Sequence, residues 1–284
     1  MKLLVIGKTG QLARELARLA PGARFAGRDE APLDDPAACA RLVRASGARA
    51  VINAAAFTDV DGAQSAAAEA TRANAEAPGA MAAAARETGA AFVQISSDYV
   101  FGGAGTAPWA PDAAPAPLNR YGESKLAGEI AVRESGAAHA ILRSSWVFSA
   151  HGRNFVNTML RLSDTHETLR IVADQIGGPT PADALAAAAR AIAEKLVEHP
   201  DLSGTYHFAG APDVSWAGFA REIMAQAGRS TRIVDISSAA YPTPARRPLN
   251  SRLDCRRTEA RFGLARPDWQ SGLSRVLTEL GAHA

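Results

Sequence analysis

Short apolar runs alternate with Ala-rich stretches of helical spacing through the first half of the chain. Leu3-Leu4-Val5-Ile6 is a compact apolar block, and Leu12, Leu16 and Leu19 follow at intervals that place one face of a helix inward. Arg24-Phe25-Ala26 predicts a second strand, residues 38–44 a helix, and Ala50-Val51-Ile52-Asn53 a third strand. A long helix over 76–88 leads to Ala91-Phe92-Val93-Gln94-Ile95, and a helix over 121–131 leads to His139-Ala140-Ile141-Leu142. Strands apolar on both faces belong inside a sheet covered by helices. Their alternation with helices predicts an α/β fold, a doubly wound parallel sheet with right-handed crossovers.

After about residue 150 the alternation loosens. Helices are expected over 155–162, 181–196 and 216–227, and strands over 169–172, 205–208 and 232–234, while the prolines of Tyr241-Pro242-Thr243-Pro244 demand a loop. The expected division is a nucleotide-binding domain over 1–150 and a mainly substrate-binding, smaller α/β domain over 151–284, with segments returning to the sheet.

Composition narrows the function. The net charge of +2 is spread without a basic run, so nucleic acid is not an expected partner. No apolar run is long enough for a bilayer, and Met1 leads straight into a strand without a signal peptide, so a cytoplasmic location is expected. Cys39 and Cys255 lack metal-site spacing and read as free thiols, and the six histidines are scattered.

Directly after the first strand stands Gly7-Lys8-Thr9-Gly10-Gln11-Leu12-Ala13. Gly7 suits a tight turn, Gly10 lets backbone approach a pyrophosphate, and Ala13 permits close helix packing; the helix N-terminus offers its amides to the anion. This context makes the sheet Rossmann-type and assigns Gly7, Thr9, Gly10, Gln11 and Leu12 to a nicotinamide dinucleotide. Gly27-Arg28-Asp29-Glu30 follows the second strand. Arg28 suits the 2′-phosphate of NADPH and a carboxylate suits the ribose hydroxyl of NADH, so both stay open. Asn53-Ala54-Ala55-Ala56 offers small side chains beside which nicotinamide-ribose can lie.

Tyr121-Gly122-Glu123-Ser124-Lys125 puts a phenol and an ammonium on one helix face. Lys125 is one of only four lysines in the chain. Such an ammonium is expected to lower the phenol's pKa while reaching the cofactor ribose, so that Tyr121 donates a proton as hydride arrives. Ser97, in Ser96-Ser97-Asp98 at the end of the fourth strand, is placed to polarise a ketone.

These motifs, with Asp98-Tyr99-Val100-Phe101, Arg143-Ser144-Ser145-Trp146-Val147, Asp174-Gln175-Ile176-Gly177-Gly178-Pro179-Thr180 and Tyr241-Pro242-Thr243-Pro244-Ala245-Arg246-Arg247-Pro248, make the chain resemble the dTDP-4-dehydrorhamnose reductases. These belong to the extended short-chain dehydrogenases/reductases. The resemblance covers nearly the whole chain. It implies reduction of a dTDP-4-keto sugar at C4, with Tyr121 as proton donor, Lys125 as ribose anchor and Ser97 (Thr in many members) as carbonyl partner. It further implies Thr58, Asp98 and Trp146 at the sugar, and Arg246 and Arg247 at the diphosphate. Some members hold magnesium between three acidic residues at a dimer interface. The matching positions are Glu15, Asp183 and Glu279, with the middle one a methylene shorter, so no metal is expected, and a homodimer is left open.

Two other readings share parts of the pattern. Nucleotide-sugar dehydratases and epimerases have the same framework, but the dehydratases follow Thr-Asp with Glu where this chain has Tyr99. The regulatory subunit of methionine adenosyltransferase resembles the reductases and acts by binding a partner enzyme.

Overall fold

The structure, a computed structural model, describes residues 1–282. Its first half is a strict strand–helix alternation: β1 Leu3–Ile6, α1 Gln11–Leu19, β2 Arg24–Ala26, α2 Pro36–Ser46, β3 Ala50–Asn53, α3 Ala67–Thr71, α4 Ala77–Thr88, β4 Ala91–Ser97, α5 Arg120–Glu134 and β5 His139–Ser144. The second half holds β6 Val147–Phe148, α6 Phe155–Ser163, β7 Thr168–Val172, β8 Ile176–Gly177, β9 Thr180–Pro181, α7 Ala182–Glu198, β10 Gly204–His207, β11 Val214–Ser215, α8 Trp216–Gln226, β12 Arg232–Ile236, β13 Asn250–Ser251, α9 Arg256–Phe262 and α10 Trp269–Glu279.

Six strands form one parallel sheet in the order β10-β5-β4-β3-β1-β2. Alternate residues of β1 face opposite sides, as the two-residue period of a strand requires. Leu3 and Val5 pack with Leu12 and Leu16 of α1 and with Leu185, Ile192 and Leu196 of α7. Leu4 and Ile6 pack with Val43 of α2, Met81 of α4 and Val132 of α5. Helices therefore cover both faces, and the apolar runs in the sequence are explained.

The later half does not stay apart from this sheet. α7 covers one face, and β10 adds the edge strand beside β5. A separate core gathers Phe148, Met159, Phe219, Ile223, Trp269 and Leu273 behind the two-stranded pair β7–β12. A three-stranded sheet, β11-β8-β13, brings the Asp174–Thr180 motif against the segment that follows Arg247.

Two elements depart from the expected boundaries. The fourth strand runs on through Ser97, so Ser96 and Ser97 belong to the sheet and inherit its rigidity. The helix before it starts at Ala67 and passes through one π-helical stretch, residues 72–76, before α4. The π-helical stretch carries Asn74, whose polar side chain is buried. Such single-turn distortions re-aim one side chain at the expense of regular hydrogen bonding.

Candidate active site

The glycine loop leaves β1 through Gly7, whose φ of +117 lies where a side chain is rarely tolerated. Its N–H donates to Ala26 O at 2.7 Å, tying the loop to β2. α1 then starts from Gly10 with no side-chain cap, so its first amides are unclaimed by the protein. Gly10 and Thr9 are exposed; Leu12 is buried in the core, so it can offer an anion only its backbone. Gln11 also differs from a simple ligand. Its Oε1 accepts from Ser149 Oγ at 2.9 Å and from Asn154 Nδ2 at 3.1 Å, stitching α1 to the chain after β6.

Past β2, Arg28 is exposed, while Glu30 is bound by Lys8 at 2.8 Å and Arg24 at 2.9 Å. The two cations hold the Glu30 carboxyl down at about 2, led by the Lys8 hydrogen bond. Asn53 turns inward rather than toward a cofactor: its Nδ2 donates to Gln94 and its Oδ1 accepts from Ala55 N–H. The carboxamide thereby shapes the Ala54-Ala55-Ala56 turn, whose Ala54 carbonyl lies 4.0 Å from where a Gly10 β-carbon would stand. Asn74 continues the bracing. It bonds both the N–H and the carbonyl of Phe57 and the hydroxyl of Ser124, fixing the loop that carries exposed Thr58 to α5.

α5 is capped by Asn119, whose Oδ1 accepts from Gly122 N–H at 2.8 Å. The helix lies so close to its neighbours that a β-carbon on Gly128 would meet the Asn74 carbonyl oxygen at 1.9 Å. This contact sets Tyr121 and Lys125 beside the end of β4. Ser97 Oγ donates to Asp98 Oδ1 at 2.9 Å and accepts from Tyr99 N–H at 3.1 Å. Burial, and next the Asp98 charge, push the Tyr121 phenol up to about 12, while a bond with Ser97 acts the other way. Burial likewise raises the Asp98 carboxyl to about 6.

Lys125 is buried and donates from Nζ to Ile95 O at 2.8 Å. The expected lowering of the phenol by Lys125 is therefore not what dominates here. Burial of Tyr121 sets the direction instead, because the phenolate charge is disfavoured in a low-dielectric site.

Beside this centre opens a cleft of about 1160 Å³. Asp61, Tyr99, Phe155, Trp216, Arg246 and Arg247 are among its walls. Its lining reaches Tyr99, whose ring meets that of Tyr121 edge-on at 5.7 Å. Trp146 stands one layer back, stacked on Trp216 at 3.7 Å between centroids. It has a φ of 50, the one non-glycine residue with positive φ among those described. A bulky residue held there signals a local demand that outweighs backbone preference. The expected basic pair divides: Arg246 is exposed, but Arg247 is engaged by Asp61 through both guanidinium nitrogens at 2.7 and 2.8 Å.

The three acidic positions matched by the resemblance take different partners within the chain. Glu15 and Glu279 approach one another together with His151, while Asp183 pairs with Arg275 at 2.8 Å. Arg18 bonds both Glu15 and Glu279, so a guanidinium already occupies much of the space between the carboxylates. His151, Asn74, Asp61 and Trp216 were not singled out from sequence.

The family described as RmlD substrate binding domain matches residues 1–282. A dTDP-4-dehydrorhamnose reductase of Burkholderia thailandensis is 43% identical, the alignment covering 99% of each chain. Two solved dTDP-4-dehydrorhamnose reductases superpose closely, each 32% identical to this chain. One, from Clostridium acetobutylicum, has a TM-score of 0.91 and covers 99% of this chain and 100% of its own. The other, from Bacillus anthracis in complex with NADP, has a TM-score of 0.90 and covers 98% of this chain and 100% of its own. On the glycine loop, the Ser97–Tyr121–Lys125 grouping and similarity over its whole described length, the chain belongs to the dTDP-4-dehydrorhamnose reductase family.

Proposed function

We propose that the chain reduces the C4 ketone of dTDP-4-dehydro-L-rhamnose (dTDP-6-deoxy-L-lyxo-4-hexulose) with NADPH, giving dTDP-L-rhamnose, the last step in making that nucleotide sugar. The observation that carries this reading is the convergence of Ser97, Tyr121 and Lys125 at the C-terminal end of β4, where open parallel sheets receive ligands.

The uncapped start of α1 and the close backbone of Gly7, Gly10 and Ala54 form a cradle that fits a pyrophosphate. The bound cofactor supplies the hydride. Exposed Arg28 suits a 2′-phosphate, and the repulsion from ionised Glu30 is offset by its partners Lys8 and Arg24; NADPH is favoured on that ground and NADH remains usable. Residues 1–150 chiefly hold the cofactor, and 151–284 chiefly the sugar nucleotide.

Ser97 holds the ketone oxygen, and Tyr121, protonated up to high pH, gives its proton to that oxygen as it gains charge. Lys125 anchors the ribose. Asp98 and Thr58 face the sugar, the Trp146–Trp216 stack walls it, and Arg246 with Arg247 binds the diphosphate by charge-assisted hydrogen bonds. No helix among the described residues is long and apolar enough to cross a membrane. The reading sets the reaction in the cytoplasm, with a small-molecule substrate and neither nucleic acid nor membrane as partner.

The test follows NADPH absorbance while the 4-keto sugar is made in situ by the upstream enzymes. Oxidation of one NADPH for each sugar reduced is expected. Unchanged NADPH in the presence of the keto sugar would overturn the reading, and no feature of the site favours dehydration once Tyr99 stands after Asp98.

A further inference from the structure

Beneath the Tyr121–Lys125 turn lies a buried array of charge that the chemistry above does not use. Glu129 follows Lys125 by one turn of α5 and is fully buried. Its carboxylate accepts from Ser96 Oγ at 2.7 Å, Arg143 Nε at 2.7 Å, Arg143 Nη2 at 2.6 Å and Arg133 Nη2 at 2.7 Å. Arg143 donates onward to Pro111 O at 3.0 Å and to His207 Nε2 at 3.3 Å. His207 is neutral, since burial and then Arg143 depress its ring to about 3. A buried ion pair stabilises a fold little better than apolar packing of the same shape. Such an array therefore calls for another reason.

We propose that Glu129 is a positioning residue that holds Lys125 in its ammonium form inside the site. The inference rests on the assignment of Lys125 as ribose anchor. Burial pulls that ammonium down from 10.5 and the Glu129 charge opposes it, the two together leaving it at about 8. The other charges near the pair are accounted for. On α5, Arg133 is bound to Glu129, and Tyr121 stays neutral. From β5, Arg143 spends two nitrogens on the same carboxylate. From β10, His207 is uncharged, and after β4 the Asp98 charge acts on Tyr121. Glu129 is thus the anion that reaches Lys125, and Ser96 and Arg143 fix where that anion sits. Without it, burial would carry the midpoint below about 8, so that a neutral fraction would appear near neutral pH and the amine would lose its charge-assisted hold on a hydroxyl.

With only Lys2, Lys8, Lys125 and Lys195 to resolve, lysine labelled with ¹³C at Cε reports the Lys125 titration directly by NMR, assigned with Lys125→Met. In Glu129→Gln the Lys125 midpoint should fall by about one unit or more, a tenfold change in proton affinity. The alkaline limbs of kcat and of NADPH affinity should move down in pH with it. Glu129→Asp, which keeps the charge, should hold the midpoint near the wild-type value. Because Glu129→Gln leaves Arg143 unpaired and can cost folding, Ser96→Ala provides a milder test: a smaller shift in the same direction. A midpoint unmoved in Glu129→Gln or, where that variant does not fold, in Ser96→Ala overturns the proposal. A uniform loss of activity with fixed limbs would likewise mark Glu129 as merely structural. If Lys125→Met instead keeps normal turnover and NADPH affinity, it is the anchor assignment that fails, and the NMR midpoint still decides what Glu129 does.

Discussion

Gly177 is the floor on which Trp146 rests: a β-carbon there would come within 3.0 Å of both the indole Cε2 and Ser251 Cβ. The glycine of the Asp174–Thr180 motif thus sets the height of the Trp146–Trp216 stack at the edge of the cleft. Gly177→Ala should lift the indole by a few tenths of an ångström. Steady-state kinetics should show a several-fold higher KM for the nucleotide sugar, with NADPH affinity unchanged. An unchanged KM would remove the stack from the sugar site.

Asp98 links stability to pH. Its folded-state carboxyl lies at about 6, above the ordinary 3.8, so the folded protein favours the protonated form. That costs nothing below about pH 4. The cost grows as pH rises through the interval and is complete above about 6, on the order of 3 kcal/mol for a shift of about two units. Asp98→Asn should therefore be more stable than wild type at pH 7–8 and equal to it near pH 4, while losing activity. Thermal denaturation at the two pH values checks this, and an identical stability difference at both would show that the carboxyl is not destabilised by burial.

The sheet was legible because its signal is local. Each apolar block of the first half became a strand, since a strand buried on both faces has no alternative use for such a run. Tyr121 and Lys125 were legible for the same reason, as four residues on a helix always share a face. What stayed hidden depends on distant chain segments. Asn53 reads as a ligand until Gln94, on the neighbouring strand, is seen to claim its amide. Arg247 reads as a free guanidinium like Arg246 until Asp61 is brought to it across the cleft and holds it in place. The tuning of Tyr121 failed as an expectation because sequence gives the spacing of two charges but not their burial, and burial won.

Asp61 and Arg247 make the next expectation specific. Among the described residues no ion pair engages Arg246, whereas Arg247 is held by Asp61. Arg246→Ala should raise the KM for the nucleotide sugar with a loss that shrinks at high salt, because an exposed charge is screened. Arg247→Ala should raise KM and also lower the melting temperature, since it frees both Asp61 and the loop at Ala245. Equal effects of the two substitutions on KM and melting would contradict the division.

In the proposed reaction the Tyr121 hydroxyl supplies the proton. Tyr121→Phe keeps the ring and its edge contact with Tyr99, so the fold and NADPH affinity should persist. What is lost is the proton for the C4 oxygen, a contribution of about 10²–10⁴-fold in comparable general-acid steps. The decisive measurement is single-turnover reduction of the 4-keto sugar by Tyr121→Phe enzyme saturated with NADPH, where hydride transfer itself is observed. A rate lowered by about 10²–10⁴-fold with unchanged cofactor affinity is the predicted result, and a rate near that of the wild type would contradict the mechanism.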